Sequence, residues 1–206
     1  MMRVRVDYKK ENFFIFLSSL DMIRYFERAL RRSGLPILFT SGFSPKPKID
    51  FSLALPLGIQ SESEIFDFYL VEKVQEEKIF EKLINSIDKN LIINRIKEVK
   101  LNSPSISSLI THFQLEINFN EKNNFKIKDF VLKKEKNNEK KLIELKNFIY
   151  KEEDEENKKI FIISKDVSLR ELYDNLKEFF QENFSIKKLK NLRISNESVD
   201  DIFDLD

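Results

Sequence analysis

The chain has 206 residues, 41% of them hydrophobic, which is enough for one large core or two small ones. It has no cysteine, which excludes disulfides, thiolate metal sites, iron–sulfur clusters and cysteine nucleophiles. No run approaches the roughly 20 apolar residues of a bilayer span, and charges break every apolar stretch of the opening MMRVRVDYKKENFF, so the expectation is a soluble cytoplasmic protein with no signal peptide and no membrane partner. The formal net charge of +1 hides an asymmetry: residues 1–60 hold six Arg and four Lys against five acids, and the rest of the chain carries the balancing acid. Six of the nine Arg lie in the first 32 residues, while Lys is the general surface cation elsewhere. Arg is the better residue where a planar, bidentate contact to phosphate or carboxylate matters.

In chain order, the alternation of Val4 to Tyr8 predicts a strand, 9–12 a turn, and Asn12 to Leu17 a second strand, the two forming a hairpin. Ser18 or Ser19 caps a helix running to about Ser33, ended by Gly34 and Pro36. A short strand Ile37 to Thr40, a loop over 41–48, a strand Ile49 to Leu55, a turn Pro56 to Gly58 and a strand Ile65 to Val71 follow. A helix from Gln75 to Ile87, a strand from Leu91 to Leu101 and a polar linker around Pro104 complete the half. The second half predicts a strand His112 to Phe119, a short helix within 120–130, and strands near 131–136, 141–150 and 158–164. The acidic run at 152–156 reads as a solvated hairpin loop. Ser168-Leu169-Arg170-Glu171 is a capping box opening a helix to about Phe180, Ser185 to Ile194 is the last strand, and the acidic tail reads as frayed. Each half therefore has the order β-α-β-β-α-β with extra strands. The expected class is α+β, two ferredoxin-like units (1–103 and 104–206) with helices on one face of antiparallel sheets. A single continuous sheet with four helices is the alternative.

All three glycines, Gly34, Gly42 and Gly58, and four of the five prolines, Pro36, Pro45, Pro47 and Pro56, fall within one stretch of the first half. Gly allows positive φ and Pro fixes φ, so this backbone holds a particular shape. In Gly42-Phe43-Ser44-Pro45-Lys46-Pro47-Lys48 the prolines alternate with cations, so Lys46 and Lys48 are expected to point the same way. On the preceding helix, at 100° per residue, Met22, Ile23, Phe26, Ala29 and Leu30 form an apolar arc. Arg24, Arg28 and Arg31, with Arg32 beside them, form the opposite face, and Glu27 is placed for an i,i+4 pair with Arg31. Row and loop together are expected to line an anion-binding groove, with Ser41 and Ser44 as hydroxyl donors and Phe43 as a stacking face. The ordinary alternatives are turns between short strands and a solvated helix face.

Three stretches, Phe16 to Asp21, Arg28 to Pro36 and Ser41 to Lys48, continuing through Leu55-Pro56-Leu57-Gly58-Ile59 and Ser61-Glu62-Ser63-Glu64, resemble the radical SAM-linked protein family, a bacterial domain of unknown function. The resemblance covers about the first third of the chain. It implies a domain fused to, or encoded beside, a radical SAM enzyme, often near genes of ribonuclease G and ribosomal proteins. Where the family pattern tends to have Asn and His, this chain has Ser44 and Lys46, which favours an electrostatic over an acid–base role at position 46.

The lone His112 is a poor metal or catalytic candidate. Asp21, Asp50 and Glu64 are the carboxylates available for acid–base work, Asp21 being equally at home at a helix N-terminus and Glu64 as a partner of the Arg row and a support of the loop. No P-loop, dinucleotide fingerprint, nucleophile elbow or HExxH motif appears. The reading is a non-catalytic module that binds a phosphate-bearing ligand, RNA first, as accessory to a radical SAM enzyme or to RNA processing, with no cofactor of its own. The alternatives are an RNA-modifying or RNA-processing enzyme using a carboxylate, and a protein–protein adaptor.

Overall fold

The computed structural model describes residues 1–121, 124–136, 139–155, 157–181, 183–195 and 198–205. The N-terminal half contains β1 (Met2–Lys10), α1 (Ser19–Arg32), β2 (Ile49–Phe51), β3 (Gln60–Leu70), α2 (Glu76–Ile84) and β4 (Ile93–Val99). After α3 (Ile106–Leu109) come β5 (His112–Phe119), β6 (Val131–Lys136), β7 (Glu139–Glu144), β8 (Ile149–Asp154), β9 (Lys158–Ser164), α4 (Leu169–Phe180), β10 (Phe184–Ile194) and β11 (Val199–Asp201). The class is α+β, with four helices and one large, mostly antiparallel sheet among the described residues.

The first half pairs in the order β4-β1-β3-β2 and the second in the order β10-β5-β9-β8, all antiparallel. The halves join where β10 runs parallel to β3, Lys187 beside Gln60 and Lys188 beside Ser61. β2 uses the same edge of β3 farther along, Ile49 beside Phe68 and Phe51 beside Phe66. The seam is reinforced by ion pairs from Lys187 to Glu62 at 3.0 Å and from Lys188 to Glu64 at 2.5 Å, and by Asn191 Nδ2 donating to the Ser63 carbonyl at 2.9 Å.

α1 forms as its sequence directs. Ser18 Oγ accepts the Asp21 amide, and the buried stripe Met22, Phe26, Ala29 and Leu30 packs on β1 and β3. Phe26 meets the Tyr8 ring edge-on at 4.9 Å and lies 4.2 Å from the Phe66 ring. α4 is capped in the same way by Ser168 and buries Leu169, Leu172 and Leu176 against the second half.

The opposite face of β1 and β3 is charged and closed. Asp67 is fully buried and accepts from Arg3 Nε at 2.8 Å and from Arg5 Nε and Nη2 at 2.9 and 3.1 Å. The remaining guanidinium donors go to the carbonyls of Ser103, Pro104, Ile202 and Leu205. Two of the six N-terminal arginines thus build the interior and offer nothing to a ligand.

The elements depart from expectation at several places. The strand expected from Ile49 to Leu55 ends at Phe51, and the one expected near 141–150 is broken by a 3-10 turn at Leu145–Asn147 into β7 and β8. Residues 12–16 form a 3-10 turn, not the second strand of a hairpin, because β1 already pairs with β3 on one edge and β4 on the other. Ile37 to Thr40 makes only two isolated bridges, Ile37 to Leu70 and Phe39 to Pro47. The helix expected within 120–130 is a 3-10 turn at Ile127–Asp129, with 122–123 outside the described residues. The β6–β7 hairpin follows it and buries Leu132 in the core of the second half. Glu152 to Asp154 extend β8, and Glu152 Oε1 accepts the Ile127 amide at 2.7 Å; residue 156 lies outside the described residues. The tail is docked, not frayed: β11 pairs with β10, Ile202 and Phe203 are buried, and Arg95 bonds Asp201 and Asp204 at 3.1 and 3.2 Å.

Candidate functional site

Hydrogen bonds from Thr40 N to the Lys46 carbonyl, from Lys46 N to Thr40 Oγ1 and from Lys48 N to the Leu38 carbonyl, at 2.8, 3.2 and 2.8 Å, close the loop over 40–46. Gly42 has φ of +121°, a conformation that L side chains rarely adopt, with open space around it, so it is backbone freedom that its position requires. Pro47 is buried under the loop, while Ser41, Ser44, Pro45 and Lys46 are exposed and Phe43 projects fully into solvent.

The C-terminal end of α1 meets this loop. Arg31 Nη2 donates to the Pro45 carbonyl at 2.6 Å, and its guanidinium lies 4.9 Å from the Phe39 ring. Arg31 is therefore a strut rather than a partner of Glu27. Arg28, one turn earlier, is exposed and makes no hydrogen bond or ion pair among the described residues, and the same holds for the Lys46 ammonium. Arg24 is exposed and sits 3.7 Å from Asp21. Arg32 turns away and donates to the Ser86 carbonyl at 2.9 Å, tying α1 to the end of α2, where Lys82 Nζ also reaches the Gly34 carbonyl at 2.7 Å.

Lys48 does not join the row. Its ammonium lies 4.4 Å from the Tyr69 ring, and Tyr69 shares the Arg3 face of the sheet, opposite α1. Glu64 and Gly58 also belong elsewhere: Glu64 pairs with Lys188 at the seam, and Gly58 donates its amide to the Ile15 carbonyl and faces Tyr173 of α4. Arg31 thus ties the loop to α1, where Arg24 and Arg28 are exposed, while Ser41, Phe43, Ser44 and Lys46 are exposed on the loop; Arg32, Lys48, Gly58 and Glu64 serve neighbouring structure.

The carboxylates are dispersed. Asp21 is exposed and held below its usual range by the Ser18 hydroxyl, which donates to Oδ2 at 2.6 Å. Asp50 lies on the far side of the sheet, accepts the Ile106 amide at 3.2 Å, and is pushed up by burial. His112 bonds Thr111 Oγ1 through Nδ1 at 2.9 Å, and burial lowers its pKa.

Sequence reasoning missed a second feature. A cavity of about 650 Å³ opens between the first turns of α1 and α4, walled by Ser18, Leu55, Phe113, Ser168 and Tyr173. A smaller branch of about 190 Å³ shares Ser19 and 53–55 with it and reaches Tyr8, Lys10 and Glu64. Lys10 reads as a turn residue in sequence but is the last residue of β1 and only 2% exposed. Only its place two residues after Tyr8, on an alternating strand, hinted at an inward side chain.

Sequence and structure together define an α+β protein with exposed cations on α1 and on the loop over 41–46, and a cavity of mixed polar and apolar lining where its halves meet. Residues 3–177 match a family described as an uncharacterized protein conserved in bacteria (DUF2344), and the chain belongs to that family. No curated protein matches the chain.

Proposed function

We propose that the protein is a cytoplasmic, non-catalytic module that grips the phosphates of RNA through the α1 and 41–46 face and presents that RNA to a partner enzyme, a radical SAM protein being the partner to which the sequence resemblance points. The reading rests on the 2.6 Å bond from Arg31 to the Pro45 carbonyl, which ties the loop carrying exposed Lys46 and Phe43 to the helix carrying exposed Arg28. Two cations that make no hydrogen bond or ion pair among the described residues supply phosphate contacts, and an uncovered aromatic ring supplies a stacking platform. The strand orders β4-β1-β3-β2 and β10-β5-β9-β8 support a scaffold of two ferredoxin-like units, 1–103 and 104–206, with the basic helix and loop read as part of the first. The carboxylate-enzyme reading has less support, since Asp21, Asp50 and Glu64 are engaged at three separate places.

The test is crosslinking in cells followed by sequencing of bound RNA, wild type against the double variant Arg28→Glu, Lys46→Glu. Both positions are exposed, so folding is expected to be unaffected. RNA recovery is expected to fall sharply in the double variant, and equal recovery from both proteins would remove the reading.

A further inference from the structure

The seam between the halves holds more buried cation than buried anion. Lys188 is 1% exposed, and its ammonium lies 2.5 Å from Glu64 Oε1 and 3.0 Å from Asn191 Oδ1. Glu64, itself 4% exposed, is thereby matched by one cation, with the Ser52 hydroxyl at 3.5 Å from its other oxygen. Lys10 is left over. It is 98% buried and lines the inner branch of the cavity, yet it makes no hydrogen bond or ion pair among the described residues. Burial lowers its pKa from the usual lysine value; Glu64 opposes that shift and Lys188 adds to it. With the side chain enclosed and no protein acceptor bonded to it, the ammonium has only the cavity from which to draw one, so an anion seated there would meet an unpaired cation.

The surroundings suit an anion. α1 and α4, of 14 and 12 residues, both begin at the cavity, with Ser18, Ser19, Ser168 and Leu169 in its wall. The earliest backbone amides of a helix have no acceptor within the helix, and the helix dipole places partial positive charge at that end. Ser19 lines the outer cavity and the inner branch alike, so the start of α1 and Lys10 face the same space. Lys165 and Arg170 stand at the outer wall, where Asp174 is the acid among the lining residues. Leu55, Phe113, Leu169 and Tyr173 give the outer cavity apolar surface for an organic group, and its volume is that of a small-molecule site.

We propose that this cavity binds the phosphate monoester of a small organic molecule, with the phosphate seated between the Lys10 ammonium and the first turn of α1 and the organic part in the outer cavity. The site is separate from the basic face, which lies at the other end of α1. A phosphate monoester comes from a free nucleotide-sized metabolite or from the 5′ end of an RNA, and the probes distinguish these sources.

The full chain is titrated with inorganic phosphate, adenosine 5′-monophosphate, adenosine, and a short 5′-phosphorylated RNA with its dephosphorylated counterpart. Thermal stability and backbone amide NMR shifts are read together. Phosphate and the monophosphate are expected to stabilise the protein and to move the Ser19 and Leu20 amides, while adenosine does neither. Saturation by the phosphorylated RNA alone would assign the site to an RNA end. Lys10→Met removes a buried charge and so should fold at least as well, and it should weaken binding about tenfold or more, the scale of a lost charged hydrogen bond. The pair Arg28→Glu, Lys46→Glu should leave this binding intact, so failure of the basic-face reading and failure of this one are distinguishable. The proposal is overturned if no phosphorylated probe binds at millimolar concentration, if adenosine binds as well as its monophosphate, or if Lys10→Met binds as tightly as wild type.

Discussion

Replacing Asp67 with Asn keeps the side-chain shape at a fully buried position but removes the charge that two guanidinium groups share. Among the described residues Asp67 is the only carboxylate within ion-pair distance of Arg5, whereas Arg3 retains Asp50 at 3.5 Å. Breaking a buried ion pair by removing one partner costs roughly 3–5 kcal/mol, because the other charge stays buried. The carbonyls of Ser103, Pro104, Ile202 and Leu205 still accept from the two arginines, which argues for the lower end, about 3 kcal/mol. Domains are commonly stable by only about 5–15 kcal/mol, so the loss would move a urea midpoint plainly. The assay is urea unfolding followed by far-UV circular dichroism, with Glu77→Gln on the exposed side of α2 as the neutral control. A loss below about 1 kcal/mol for Asp67→Asn, the ordinary cost of an unremarkable substitution, would refute the view that this face of the sheet is held by shared charge.

Arg31→Ala should release the loop from α1, seen as faster amide exchange at Lys46 and Lys48 and weaker RNA binding, with global stability changed by no more than about 1 kcal/mol. In RNA-binding titrations, the variant Arg28→Glu, Lys46→Glu should reduce the slope of log K against log salt by about 1.4 for a single strand, the effect of two lost phosphate contacts. Glu62 is held below its ordinary pKa by hydrogen bonds from Lys9 and Lys187. It therefore contributes stability above 4.5 that is lost as pH falls through the lowered value, and Glu62→Gln should flatten that part of the acid limb in urea midpoints. Lys10 has the opposite dependence: its pKa is depressed, so between the depressed value and 10.5 the unfolded chain holds a proton that the native state lacks. Stability should rise with pH across that window in wild type and not in Lys10→Met.

Short-range rules made much of the fold legible. Ser18 and Ser168 mark helix starts because a side-chain oxygen must meet an early amide, and Gly34 marks the end of α1 with φ of +65°. Alternation identified β5 because it buries every second residue. The failures were long-range. Residues 12–16 have the composition of a strand, but whether an edge of β1 is free to receive them depends on β4, some 80 positions later. The tail looks too acidic to pack, yet its acids meet Arg95 and its carbonyls meet Arg5. At the candidate site, the helical period correctly put Arg24, Arg28 and Arg31 on the exposed side. It could not show that Arg32 is drawn to Ser86 or that Lys48 crosses to Tyr69, since both depend on what the sheet brings alongside. Lys10, Glu64 and Lys188 are ordinary charges in sequence, and only the joining of β3 to β10 encloses them.

The clasp between Arg5 and the carbonyls of Ile202 and Leu205 links positions about 200 residues apart. During synthesis, β1 emerges long before residues 202–205, with a guanidinium group whose acceptors do not yet exist. The strand that joins the two halves, β10, is also made late. Maturation of the first half is thereby coupled to translation of residues 199–205, so a nascent chain paused before residue 199 would hold that half with its charged face open to water until the closing segment arrives.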